Sequence, residues 1–224
     1  MSDLMAKISQ GRQYRNIKEI RIAERAENEE KTYRVSGYAT TYNEPYTLYA
    51  DEDIEIREQV APDAFEKADM SDVIMQYNHE GRVFARTRNN TLSVESDEHG
   101  LLINADLGGT EIGRQLYEEI DGGYTDRMSF GFTVDSDEVE ESREKGKRTV
   151  YLRTITRIGK LYDVSAVSIP ANDGTEISAR SFVDGLIEKE KAERLIEAEK
   201  ERRMAAINEL DEVLKHYKES KNEP

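Results

Sequence analysis

The chain has 224 residues and a formal net charge of −15, with 37% hydrophobic and 35% charged residues. This length suits one good-sized domain with an appendage. The absence of cysteine excludes a disulfide scaffold, a thiol nucleophile and a thiolate metal site. The acidic balance argues against nucleic acid as a partner, because phosphate binding needs a basic surface.

Neither a membrane partner nor secretion is expected from the sequence. It contains no run of about 18 apolar residues, which a membrane-spanning helix would need. The first residues lack the apolar core of a signal peptide, so a cytoplasmic protein is the simplest expectation. Residues 1–16 are polar and basic-leaning, and we expect them to form a flexible N-terminal arm.

Alternating apolar and polar residues predict a series of antiparallel strands over the first half of the chain. The predicted strands are 17–23, 33–42, 54–60, 73–77, 83–85, 92–94 and 101–107. Pro62 stands at a plausible first helical turn, so residues 62–68 are predicted to form a short helix. Thr110 can cap a second helix, in which apolar residues recur at every fourth position.

A turn at residues 121–123 leads into the apolar stretch Met-Ser-Phe-Gly-Phe at residues 128–132. Alternation places the three bulky side chains on one face, with Ser129 and Gly131 on the other. A hydroxyl beside a glycine leaves room for a catalytic side chain or another chain to approach. A serine that is merely tolerated on a crowded sheet face would give the same pattern.

The last part of the chain changes in composition. Residues 135–147 are very polar and are predicted to form a flexible hairpin loop, followed by strands at 149–158 and 161–169. From Ser181 charged residues dominate, with leucines spaced among them, which predicts one long amphipathic helix or two shorter ones. The predicted organisation is therefore a β domain at 17–180 and a charged C-terminal helix at 181–224.

Three residues could supply a base, a nucleophile and an orienting acid. His79 ends a buried-looking strand, Ser129 lies on the apolar stretch, and Asp163 is the odd charge in an apolar strand. A serine hydroxyl becomes a nucleophile when an imidazole accepts its proton and a carboxylate holds that imidazole. Each residue alone also has a structural explanation: a hydrogen-bonded histidine, a tolerated serine, and an aspartate that meets water or an arginine.

Other residues compete for these roles or belong to weaker chemistries. Ser165 and Ser168 are rival nucleophiles, whereas His99 and His216 lie in polar surroundings and are expected to be solvated. The glycine-rich residues 108–113 lack the lysine of a phosphate loop. With three scattered histidines a metal site would have to be mostly carboxylate, so we expect neither a metal nor a cofactor.

Five segments, taken together and in order, resemble the tailed-phage prohead (capsid maturation) serine protease family, which is related in fold to the herpesvirus assemblins. The resemblance covers roughly residues 17–180. The segments are Glu58–Phe65, Tyr77–Glu80, Gly100–Leu102, Arg127–Phe132 and Leu161–Asn172. It implies an α+β, mainly β fold: an antiparallel β-barrel of herpesvirus-protease type with peripheral helices, to which the long C-terminal helix is added.

The resemblance also implies peptide-bond hydrolysis by a serine nucleophile, with His79 as base, Ser129 as nucleophile and Asp163 as acid. Many family members have Glu at the acid position, so Glu80, beside the base, is the alternative acid. Assemblins bring arginines to the oxyanion at the turn that matches residues 170–172, and this sequence lacks them. The backbone amide of Ala171 or Asn172 is the expected donor instead.

The implied substrates are the major capsid protein or its scaffolding segment, and the protein itself by autolysis. Cleavage would occur inside the immature capsid in the host cytoplasm, and a homo-oligomer is possible. A non-enzymatic capsid-assembly protein that keeps the protease fold is the alternative function. A carbohydrate- or lipid-directed serine hydrolase would be expected to have a Gly-x-Ser-x-Gly elbow, and the stretch around Ser129 lacks its first glycine.

Overall fold

A computed structural model describes residues 12–23, 32–143, 148–168 and 177–220. The chain divides into a compact unit at 1–183 and a second unit at 184–224. The domain boundaries expected from composition stay predictions.

Ten strands and two helices make up the regular structure of the described residues, and the mainly β prediction is confirmed. The helices are α1 (Glu111–Asp121) and α2 (Ile177–Ser220), and a short 3₁₀ turn covers Thr87–Asn89. The strands are β1 (Gln13–Ile22), β2 (Arg34–Thr41), β3 (Tyr46–Ala50), β4 (Ile54–Val60), β5 (Ile74–Tyr77), β6 (Glu80–Arg86), β7 (Leu92–Ser96), β8 (Gly100–Asp106), β9 (Arg127–Ser142) and β10 (Thr149–Val167).

The strands pair in the order β3-β4-β10-β9-β1-β2-β8-β7, and β5 pairs with β10 and β6. Most pairs are antiparallel, as predicted, but β10 runs parallel to both β4 and β5. The sheet is therefore mixed. Among the described residues this path is open and no closed barrel is found, so barrel closure stays a prediction.

The predicted alternation of residues 128–132 is present in β9. Met128, Phe130 and Phe132 are all fully buried, and the rings of Phe130 and Phe132 stack with their centroids 4.5 Å apart. Burying one such side chain contributes about 1.5–3 kcal/mol. This face of β9 therefore anchors the strand in the core and leaves the Ser129 face for other contacts.

The predicted cap of α1 is also present, because the Thr110 hydroxyl accepts a hydrogen bond from the backbone N–H of Gly113. Leu116 and Ile120 of the predicted apolar face are buried. An N-cap residue and an apolar face, both visible in the sequence, were thus sufficient to predict this helix.

Two segments differ from their predicted structure. Residues 62–68 form successive turns rather than a helix, and the carbonyl of Ala64 accepts from the backbone N–H of Ile158 on β10. Residues 135–142 are not a loop but the second half of β9. They pair with β10, whose other edge pairs with β4 over the same stretch, so they are part of the mixed sheet.

The ends of two strands also differ. Residues 149–158 and 161–167 belong to one strand, β10, whose register shifts near Gly159 make it irregular rather than broken. β1 begins at Gln13, four residues before the predicted start, so residues 13–16 are strand and not part of a flexible arm. Residues 1–11 lie outside the described residues.

All the described residues of the unit at 184–224 belong to α2, which is a single helix, in agreement with one of the two predicted forms. Ion pairs one turn apart join Arg194 to Glu190 and Arg203 to Glu199. Its exposed large apolar side chains are Leu195, Ile196, Met204, Ile207, Leu210, Val213 and Leu214. These pairs support the middle of the helix, and the helix also presents apolar side chains.

A buried ion cluster ties four strands of the first unit together. The carboxylate of Glu58 on β4 accepts hydrogen bonds from Arg15 on β1, at 2.5 and 3.0 Å, and from Arg153 on β10, at 2.8 Å. Arg153 also donates to Asp137 on β9 at 2.5 Å. Glu58 is completely buried, so its charge depends on these partners.

Burial alone would raise the pKa of Glu58, but the positive charges of Arg15 and Arg153 and the hydrogen bonds from Arg15 and Tyr46 lower the pKa to about 2. The folded-state pKa lies below the unfolded value of 4.5. The resulting stabilisation is therefore complete above pH 4.5 and is lost as the pH falls toward 2.

Replacing Glu58 with Gln should lower the free energy of unfolding by about 3–5 kcal/mol, because two buried guanidinium groups would lose their shared carboxylate. Urea denaturation followed by circular dichroism measures this loss. The difference between the parent and Glu58→Gln should shrink as the pH is lowered from 4.5 toward 2.

Glu95→Gln alters an exposed glutamate on β7 and is the matched control, with an expected change below about 0.5 kcal/mol. A Glu58→Gln protein as stable as the parent at neutral pH would contradict a stabilising role for the cluster.

Candidate active site

The pairing of β9 with β10 gathers small and polar residues on one face of the sheet. Ser129 lies opposite Ser165, and Gly131 lies opposite Asp163. Residues directly opposite each other in an antiparallel pair project from the same face. The face that the sequence predicted to be nearly bare therefore carries a serine and an aspartate from neighbouring strands, with a glycine leaving space beside the carboxylate.

His79 reaches this face from the tight turn between β5 and β6. Tyr77 pairs with Glu80, which leaves Asn78 and His79 as the two turn residues, with φ of 50° and 59°. Positive φ at both central residues is the requirement of the type I′ hairpin turn. Asn and His adopt this left-handed backbone more readily than most side chains do. The turn therefore fixes the backbone position from which the His79 side chain projects.

Two hydrogen bonds fasten this turn to the end of β10. The backbone N–H of Asn78 donates to the carbonyl of Ala166 at 3.0 Å. The backbone N–H of Ser168 donates to the side-chain oxygen of Asn78 at 3.3 Å. Because β10 also carries Asp163, these bonds set the distance between the imidazole and the carboxylate.

The imidazole of His79 lies between the other two predicted site residues. Its Nε2 is 2.6 Å from the Ser129 hydroxyl oxygen, and its Nδ1 is 2.5 Å from Oδ2 of Asp163. An ionised carboxylate only accepts hydrogen bonds, so Nδ1 carries the proton and Nε2 is left to accept from the hydroxyl. In this arrangement the imidazole can remove the hydroxyl proton while the carboxylate stabilises the resulting positive charge.

Asp163 is completely buried and is held by two further donors. The Ser165 hydroxyl donates to Oδ2 at 2.8 Å, and the guanidinium of Arg12 donates to Oδ1. Burial alone would raise the pKa of Asp163, but the His79 hydrogen bond and the charges of His79 and Arg12, with a smaller contribution from Ser165, hold it below its usual value. The carboxylate is therefore ionised at neutral pH.

The rival residues occupy other positions. Ser165 is buried and its hydroxyl is engaged with Asp163, whereas Ser168 and Glu80 are exposed. His99 is exposed and its ring lies edge-on to Tyr38. Ala171 and Asn172, the expected oxyanion donors, lie outside the described residues, as does the side chain of His216.

Sequence reasoning missed the two additional partners of Asp163. Ser165 had been considered only as a nucleophile, although its spacing of two from Asp163 puts both side chains on the same face of a strand. Arg12 had been assigned to the arm. The available signal was the need of a buried carboxylate for a cation, but nothing local identified Arg12 as that cation.

The site is shielded from solvent. Ser129 is 1% exposed and the side chain of His79 is 16% exposed. Within the described ranges, no cluster of three or more His, Asp or Glu side chains could hold a metal ion. In the same part of the chain, no helix combines the length and apolar character needed to cross a membrane.

The family model described as caudovirus prohead serine protease matches residues 18–186. No curated protein matches the chain, and no solved structure does. The matched range includes His79, Ser129 and Asp163, whereas Arg12 precedes it.

The short hydrogen bond between His79 Nδ1 and Asp163 should give a strongly downfield ring N–H resonance in the proton NMR spectrum. Asp163→Asn should remove or weaken this resonance, because the amide is a poorer acceptor than the carboxylate. Glu80→Gln is the matched control and should leave it in place. A resonance that survives in Asp163→Asn and disappears in Glu80→Gln would instead identify Glu80 as the partner.

Proposed function

The chain belongs to the caudovirus prohead serine protease family, and from that premise we propose that it is a serine endopeptidase of capsid maturation. Its proposed substrates are the major capsid protein or its scaffolding segment, and the protein itself. The observation that carries the proposal is the chain of hydrogen bonds from the Ser129 hydroxyl through His79 to Asp163.

In the first half of the proposed reaction, the Ser129 oxygen attacks the carbonyl carbon of the scissile peptide bond while its proton passes to Nε2 of His79. The tetrahedral intermediate collapses when His79 gives that proton to the leaving amine, which departs as the new N-terminus. The acyl group stays on Ser129 as an ester. The distance of 2.6 Å between Nε2 and the hydroxyl oxygen supports direct proton transfer.

In the second half, a water molecule takes the place of the leaving amine. His79 accepts a proton from this water, which attacks the ester carbonyl, and then returns the proton to the Ser129 oxygen. The products are a new carboxyl terminus and the original hydroxyl. Each imidazolium that forms is stabilised by Asp163, and the buried, ionised state of this carboxylate supports that role.

Both tetrahedral intermediates carry a negative oxygen that needs hydrogen-bond donors. We assign these donors to the backbone amides of Ala171 or Asn172, on the basis of the family resemblance alone. These residues follow β10, the strand that carries Asp163, within five positions of its end at Val167, and this chain position supports the assignment.

The family assignment also suggests where the protein acts, inside the immature capsid in the host cytoplasm. We propose that α2, with its paired charges and exposed apolar side chains, contacts the scaffold or shell. Self-association of the enzyme is a further proposal.

Ser129→Ala should abolish both processing of the capsid protein and self-cleavage, because no oxygen remains to form the acyl-enzyme. Co-expression with the capsid protein, followed by mass spectrometry of the products, measures both activities. Ser168→Ala changes an exposed serine near the turn at residues 78–79 and is the matched control. Processing should be unchanged in this variant. Continued cleavage by Ser129→Ala would overturn the assignment of the nucleophile.

Asp163→Asn should lower kcat by on the order of 10⁴, because an amide neither favours the required tautomer nor stabilises the imidazolium. Glu80→Gln should leave kcat nearly unchanged, since Glu80 is exposed while Nδ1 of His79 is bonded to Asp163. Steady-state kinetics on a peptide that spans the mapped cleavage site compares the two. A large loss in Glu80→Gln alone would assign the acid to Glu80.

A further inference from the structure

The carboxylate of Asp163 divides its two oxygens between different partners. Oδ2 receives His79 Nδ1 and the Ser165 hydroxyl, and Oδ1 receives the guanidinium of Arg12. The side chain of Arg12 is 34% exposed, whereas that of Asp163 is completely buried. A charge from outside the matched family range therefore reaches the innermost member of the candidate active site.

From this contact we propose that Arg12 is a positioning residue, which holds the Asp163 carboxylate and, through its charge, weakens the attraction between that carboxylate and a protonated His79. Its catalytic consequence rests on the proposed function. Arg12, which directly precedes β1, would then contribute to the function of the active site and would not be part of a dispensable arm.

Two anchors hold Arg12 in place. Its guanidinium lies over the ring of Tyr162, 4.7 Å from the centroid, which restrains it from one side. The next residue, Gln13, belongs to β1, and its side-chain oxygen accepts from Arg15 at 2.9 Å and from Arg153 at 3.2 Å. The buried cluster around Glu58 thus fixes the start of β1, and Arg12 directly precedes that start.

The alternation of β1 explains why neighbouring residues serve different clusters. Successive side chains along an extended chain point to opposite faces. Gln13 and Arg15 enter the Glu58 cluster, whereas Arg12 contacts Asp163 on the face of Ser129. One short extended segment therefore connects the stabilising cluster with the candidate active site.

The charge of Arg12 opposes the effect of the carboxylate on the imidazole. An isolated carboxylate stabilises an imidazolium strongly, and a guanidinium on its other oxygen offsets part of that attraction. Arg12 should therefore weaken the attraction between the Asp163 carboxylate and a protonated His79.

The other groups near this pair come from several elements. Ser129 on β9 and Ser165 on β10 contribute neutral hydroxyls. Glu80, next to His79, is exposed to solvent. Lys160 lies 5.5 Å from the Tyr162 ring and is paired with Asp69. Of these charges, Arg12 is the cation in direct contact with Asp163.

The test is a titration of His79 by NMR in Ser129→Ala protein, which needs no catalytic activity. Arg12→Gln should move the titration midpoint of His79 to higher pH by about 0.5–1 unit, after allowance for the partial exposure of Arg12. Arg12→Lys keeps the charge and should stay close to the Ser129→Ala parent. Arg21→Gln removes an exposed arginine of the same strand and is the matched control.

A midpoint that Arg12→Gln leaves unchanged would overturn the inference, as would an equal shift in Arg12→Lys. Should Arg12→Gln fail to fold by circular dichroism, Arg12→Met removes the same charge and is read in the same way. In proteins with Ser129 intact, the acid limb of kcat/KM should move with the NMR midpoint. A shift by NMR without any peptidase activity would reject the proposed function and keep the electrostatic role of Arg12.

Discussion

The burial of the Asp163 carboxylate is the constraint on which the rest of the site depends. A buried charge without donors costs several kcal/mol, so the fold must bring polar groups to it. Three side chains donate hydrogen bonds to it. His79 does so from a hairpin turn, Ser165 from the same strand, and Arg12 from 151 positions away in the chain. The contacts that would permit catalysis are thus also the contacts that stabilise this buried carboxylate in the folded protein.

The Glu58 cluster meets the same constraint with a different outcome. Its partners are mainly arginines, which stay protonated at any pH the protein meets, so the cluster has one charge state above the pKa of Glu58. The Asp163 cluster includes the imidazole of His79, whose two ring nitrogens contact a carboxylate and a hydroxyl and can accept or donate a proton. One cluster therefore serves as a fixed support, and the other can transfer a proton.

Much of the site could be predicted from local signals. Ser129 lies in an alternating apolar stretch, and Asp163 stood out as a charge among apolar residues. The turn at 78–79 consists of residue types that tolerate a left-handed backbone. These patterns require only the neighbouring sequence, and so a single chain reveals them.

The failures have a common physical origin in distant pairing. Residues 62–68 became turns where Ala64 bonds to Ile158, and residues 135–142 became strand because β10 lies beside them. Arg12 belongs to the segment expected to form a flexible arm, because its partner is far away in the chain and leaves no local signal. In each case a distant segment of the chain supplied the hydrogen bonds that determined the structure, and the local sequence pattern does not reveal that segment.

The near-complete burial of Ser129 has a consequence for substrate recognition. Under the proposed function, a peptide substrate would have to contact the residues that cover the serine before its carbonyl carbon could reach the hydroxyl. The groups around Ser129 would therefore take part in selecting which peptide bond is cleaved.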